Sequence, residues 1–131
     1  MDRGIWAIWY GLAEEHRSEY ESWFHQVHIP EKHSRPGYLW AAHYALEADR
    51  GYLAFFGGAT AHTFLNPSPG QLASRQSAET RRFMQMRQHS SACILAEEIR
   101  VDGPDIEKRG PKGTPGPVIQ FGNYNAASAS V

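Results

Sequence analysis

The chain has 131 residues, which fits one compact domain and leaves little room for two. Thirteen basic and fourteen acidic residues leave a formal charge of −1, so no one-signed field is available to hold nucleic acid or an anionic membrane surface. One cysteine, Cys93, excludes an internal disulfide and any multi-cysteine metal site, and makes a reduced, cytoplasmic location the expectation.

The first apolar run, GIWAIWYGLA, stops at Glu14. It is too short to span a bilayer and lacks the layout of a secretory signal. Within it, both alternating sets of residues 5–10 are apolar: Ile5, Ala7 and Trp9 on one side, Trp6, Ile8 and Tyr10 on the other. That pattern predicts a strand buried on both faces. LAEEHRSEYESWFHQVHI (12–29) comes next. At about 100° per residue, His16, Tyr20, Trp23, Phe24 and Val27 share one face of a helix, with glutamates, serines, His25 and Gln26 opposite. Pro30 removes a donor and disfavours helix at Ile29, so the helix is expected to weaken there.

PGYLWAAHYALEA (36–48) reads as a second strand, with Tyr38, Trp40, Ala42 and Tyr44 on one face and Leu39, Ala41 and His43 on the other. Which set faces inward is undecided, because a one-residue shift exchanges them. ADRG supplies a turn, and YLAFFG (52–57) a third strand in a hairpin with the second. GGATAHTFLNPSPGQ reads as loop with one turn of helix. A second helix is expected over 77–88, with Phe83 and Met86 in the core, and a fourth strand over 90–101.

The order is β-α-β-β-α-β, the ferredoxin-like α+β arrangement in which an antiparallel sheet carries both helices on one face. The strands are apolar on the other face too, and a second copy of the same sheet is its simplest cover. A homodimer follows as an expectation. Residues 1–102 form the expected domain. Residues 103–131 are Gly/Pro-rich, with one short strand candidate at VIQF, and read as a C-terminal extension.

WFHQVHIP (23–30), followed by PGYLWAAHY (36–44), resembles the aromatic-aromatic-x-x-x-His-x-Pro signature of EthD-like proteins in the dimeric α/β-barrel superfamily. NPSPGQLASRQSAETRRF (66–83) resembles the second-helix region of the same group. The resemblance covers residues 4–101. It implies the fold, pairing between chains, and a ligand site between the sheet and the helices. It does not imply one reaction, since the superfamily includes cofactor-independent monooxygenases, cyclases, isomerases, haem-binding enzymes and non-catalytic ligand-binding domains.

His28 is the candidate acid–base residue. It lies at the border of the apolar helix face, where partial solvent access is expected, and it matches the signature. Tyr20, Trp23, Phe24, Trp40, His43, Tyr44 and His62 are candidate ligand-lining residues. His25, His28 and His33 straddle a proline-broken helix end with no acidic or cysteine partner, so no metal site is expected. His16 reads as a hydrogen-bonded core histidine, and the arginines of residues 75–87 as mostly solvated.

Three functions fit. The first is an enzyme without metal or cofactor acting on a hydrophobic, aromatic, oxygenated compound by histidine-assisted proton transfer. The second is a non-catalytic binding protein for a small hydrophobic metabolite. The third is a haem protein, which a Soret band would reveal.

Overall fold

In the computed structural model, residues 3–46, 51–99, 101, 103 and 104 are described. The Cα packing divides the chain into two units, Met1–Val101 and Asp102–Val131. The turn expected at ADRG, apart from Gly51, and the strand expected at VIQF lie outside the described residues, all of which except 103 and 104 belong to the first unit.

Alternating apolar residues make β1 (Gly4–Leu12), longer at both ends than the sequence pattern, because Gly11 and Leu12 still pair with the neighbouring strand. A 3₁₀ turn (Glu14–His16) leads into α1 (Arg17–Trp23). A π-helical turn (Phe24–His28) and α2 (Ile29–His33) continue it. The helix thus runs through Pro30 instead of fading before it. Proline has no N–H for the carbonyl four residues back, and its ring would strike that carbonyl. A wider turn before Pro30 relieves the clash and leaves the proline at the start of α2, where no N–H is needed.

Gly37, at φ +84°, turns the chain into β2 (Tyr38–Ala45). β3 (Gly51–Gly58) follows. A 3₁₀ turn (Ala61–Phe64) with a Thr60 capping box and α3 (Pro69–Ala73), capped by Ser68, occupy the region expected as loop. α4 (Ala78–Met84) ends earlier than its pattern suggests. β4 (Arg87–Ala96) claims Arg87 and Gln88 by pairing them with Leu12 and Gly11.

The four strands form one antiparallel sheet in the order β2-β3-β1-β4. This is the ferredoxin-like arrangement. The core lies on the helix side, where Trp6, Ile8, Tyr10, Tyr52 and Phe56 of the sheet meet Tyr20, Trp23 and Phe24 of the helical segment and Phe83 of α4. On the opposite side, β3 presents Leu53, Phe55 and Gly57, and the Trp40 ring lies so close over Gly57 that a Cβ there would meet it at 2.0 Å. Glycine is the residue that admits the indole.

Candidate functional site

Register decides what enters the space between sheet and helices. β2 pairs with β3 through Ala41↔Phe56, His43↔Ala54 and Ala45↔Tyr52 on the helix side. Trp40↔Gly57, Ala42↔Phe55 and Tyr44↔Leu53 lie on the other. A bulge between Tyr38 and Trp40 breaks the alternation, so Tyr38 is buried in the core. The expected common face of Tyr38, Trp40 and Tyr44 is therefore split. Trp40 and Tyr44 sit on the outer sheet face, and His62 is exposed on the 3₁₀ turn. None of these three joins the inner cluster.

His43 does. Its ring stacks on Phe24 at 4.1 Å and on Tyr52 at 4.8 Å between centroids. Its Nε2 is 2.8 Å from the Tyr10 hydroxyl, and its Nδ1 is 3.0 Å from His25 Nε2. Tyr10 is buried, whereas His25 is exposed. Three side chains thus make a continuous hydrogen-bonded chain from solvent to the core. Two proton arrangements satisfy it. Either Tyr10 O–H donates to His43 and His43 Nδ1–H donates to His25, or His25 Nε2–H donates to His43 and His43 Nε2–H donates to Tyr10. Exchanging them carries one proton across the chain. Burial, and then the neighbouring His25 and Arg87, push the His43 pKa down to about 3, and burial raises that of Tyr10, so both are neutral near pH 7.

The phenols are held from the far side. Arg87 Nε donates to the Tyr20 oxygen at 2.8 Å, and its guanidinium lies 4.6 Å over the Tyr10 ring. Arg17 Nε donates to Tyr52 at 2.8 Å, and Tyr52 donates to Glu21. Tyr20, Trp23 and Phe24 are buried against these groups, as the helix wheel expects. Where β1 and β4 slip register, between Trp9 and Gly11, a groove of about 380 Å³ opens. Tyr10, Trp9, Leu12, Leu46, Gln88 and His89 line it. Its volume is that of a small-molecule site. His89 adopts a left-handed φ of 51°, uncommon for a residue other than glycine.

His28 departs from its expected setting. It is 2% exposed, stacked on Trp23 at 4.6 Å, with Nδ1 buried and unpartnered. Burial foremost, then Lys32, Arg87 and Arg35, lower its pKa to about 2. The partial solvent access expected of it is absent because the π turn advances each residue by less than an α turn does, swinging His28 inward and Val27 outward to 42% exposure. His16, expected in the core, has a side chain 40% exposed beside Glu15. Among the described residues, no three His, Cys, Asp or Glu side chains converge as metal ligands would, and no helix is long and apolar enough to cross a membrane.

The sequence does not single out Tyr10, Tyr52, His25 or Arg87 as lining residues. Tyr10 is legible as the end of the Trp6–Ile8–Tyr10 set, whereas Arg87 reads as part of the helix expected over 77–88 and belongs to β4.

No family model matches the sequence, and no curated protein matches it. Solved structures share the fold. The cofactor-independent oxygenase SnoaB of Streptomyces nogalater superposes with a TM-score of 0.61 at 14% identity, over 79% of this chain and 100% of that one. The monooxygenase ActVA-Orf6 of Streptomyces coelicolor, solved with nanaomycin D, gives 0.60 at 7% identity, over 78% and 93%. A NIPSNAP family protein of Agrobacterium tumefaciens gives 0.55 at 16% identity, over 71% and 90%. At these identities the likeness establishes the fold alone, the ferredoxin-like α+β arrangement.

Proposed function

We propose that the chain is an EthD-like small-molecule enzyme that removes or returns a proton on a hydrophobic, aromatic, oxygenated compound held in the groove beside Tyr10. The observation that carries this reading is the Tyr10–His43–His25 chain, which ties the phenol of Tyr10, a residue of the groove wall, to solvent. The Tyr10 oxygen accepts the substrate proton while its own proton passes to His43 Nε2. The proton on His43 Nδ1 moves to His25 Nε2 and on to water. One proton leaves the substrate, which is left as its enolate or phenolate, and the reverse order returns it. Such an intermediate serves isomerisation, dehydration, cyclisation or cofactor-free oxygenation equally. Two fold neighbours are oxygenases, which supports the last of these. The groove lies at the edge of the aromatic cluster that includes Tyr20, Trp23 and Phe24.

The assignment of proton transfer to His28 is the competing one, and a pair of variants separates them. With hydroxylated aromatic compounds as a panel and nanaomycin D as a first ligand probe, His43→Ala is expected to lower kcat by about 10²-fold or more, with binding retained. His28→Ala is expected to change stability more than kcat. The opposite pattern moves the role to His28. A ligand that binds the wild-type protein and returns unaltered supports the non-catalytic binding reading.

A further inference from the structure

Lys32 is 4% exposed, an unusual state for a lysine, since a buried charge ordinarily has a counter-charge. Its ammonium lies 4.8 Å over the Trp6 ring. The one carboxylate acting on it, Glu31, pairs outward with Arg35 at 3.9 Å. Around it are buried nitrogens with no partner: Trp6 Nε1 beneath, His28 Nδ1 one helical turn before, and Arg35 Nη1 one turn after. Arg35 also lies 6.0 Å over the Tyr38 ring, and its side chain is 26% exposed, so it forms the outer wall. Among the described residues, the Lys32, Trp6 and Arg35 nitrogens gathered here are donors, and His28 Nδ1 donates or accepts according to its tautomer. In a folded interior each such donor needs an oxygen or an anion.

We infer that Lys32 and Arg35 form an anion-binding site for a small carboxylate, one oxygen accepting from Lys32 Nζ and the other from Arg35. A carboxylate matches two adjacent donors of this kind better than a neutral carbonyl does. The site is distinct from the groove. Trp6 precedes Tyr10 by four residues on β1, roughly 13 Å at ~3.3 Å per residue. The inference therefore stands whether or not the proton chain is catalytic.

The charged and titratable groups facing Lys32 are Glu31, Arg35 and His28 from the helical segment, Tyr38 from β2 and Arg87 from β4. Desolvation and Arg35 hold the Lys32 pKa down to about 7. A carboxylate stabilises the charged amine, so binding is favoured at pH 6 and fades as the empty site deprotonates above pH 7.

Benzoate is the probe, with benzamide as the neutral isostere, at about 10 mM and constant ionic strength. Benzoate is expected to raise Tm by several degrees at pH 6, less at pH 8.5, and benzamide is expected to leave it unchanged. Lys32→Met should fold, since an apolar side chain of similar length replaces an unpaired charge, and should abolish the shift. Arg35→Gln, on the outer wall, should weaken benzoate about tenfold by titration calorimetry. No shift with the wild-type protein, an equal shift with benzamide, or a shift that survives Lys32→Met overturns the site.

Discussion

His28 and His43 show how much the surroundings of a histidine decide. Both rings stack on aromatic neighbours, and both have lowered pKa values, about 2 and about 3, chiefly through burial. His43 has both nitrogens engaged and one neighbour in water, so it can pass protons while remaining neutral on average. His28 has a buried, unpartnered Nδ1 and no such outlet. A stability prediction follows from the same shifts. Between pH 6.5 and about 3, histidines of the unfolded chain take up protons that folded His28 and His43 refuse, so stability falls as pH falls. Above pH 6.5 that loss is absent. Lys32 acts in a higher window with the same sign, because between about 7 and 10.5 the unfolded lysine binds a proton that the folded one releases. Each fully expressed group contributes a slope of about 1.4 kcal/mol per pH unit. Urea midpoints should climb from pH 4 to 6.5, and His28→Leu should flatten that climb. A midpoint that does not change across this range contradicts the neutral, buried state of both rings.

At the scale of elements, two irregularities place the site. The π turn at Phe24–His28 brings His25 to His43 and turns His28 into the core, and Pro30 is its physical cause. Pro30→Ala restores a donor, lets the segment tighten to an α-helix, and should pull His25 away from His43. Histidine ring ¹⁵N spectra would then report a changed tautomer at His43, and turnover should drop. Unaltered His43 resonances would show that Pro30 does not hold the turn open. The second irregularity, the bulge between Tyr38 and Trp40, gives β2 one inward tyrosine, Tyr38, before the inward His43. The wheel and the alternation capture regular segments well: Tyr20, Trp23, Phe24 and Phe83 are all buried where their periods place them. Both patterns fail at the irregular turns, because a widened turn or an extra residue resets the phase of everything after it.

For the whole molecule, the outer sheet face is the candidate surface for pairing with a second copy. Ile5, Ala7 and Trp9 on β1 stand opposite Leu95, Cys93 and Ser91 on β4, next to Leu53 and Phe55 on β3 and Trp40 and Tyr44 on β2. Leu95 is 39% exposed on this face. We propose that two copies pair through its exposed part, since Ala7, Leu53 and Phe55 are already buried within the chain whereas Leu95 is not. Sedimentation equilibrium should give twice 14.7 kDa for the wild-type chain. Leu95→Glu should shift the equilibrium toward the single chain by about 2 kcal/mol or more, since a carboxylate at the centre of an apolar contact loses its water. A wild-type chain that sediments as one copy at micromolar concentration removes the dimer.

Local periods are sufficient to read the order β-α-β-β-α-β, the apolar helix face and the two-faced strands, because period and burial are properties of neighbouring residues. They also single out the histidine-rich segment that supplies His25, His28 and His43. Long-range pairing alone decides which of His43 or Trp40 turns inward, which phenol His43 meets, that Arg87 belongs to a strand, and that Lys32 ends up buried over Trp6. Each of these depends on where a distant segment sits, and a shift of one residue in that placement reverses the face of every side chain that follows.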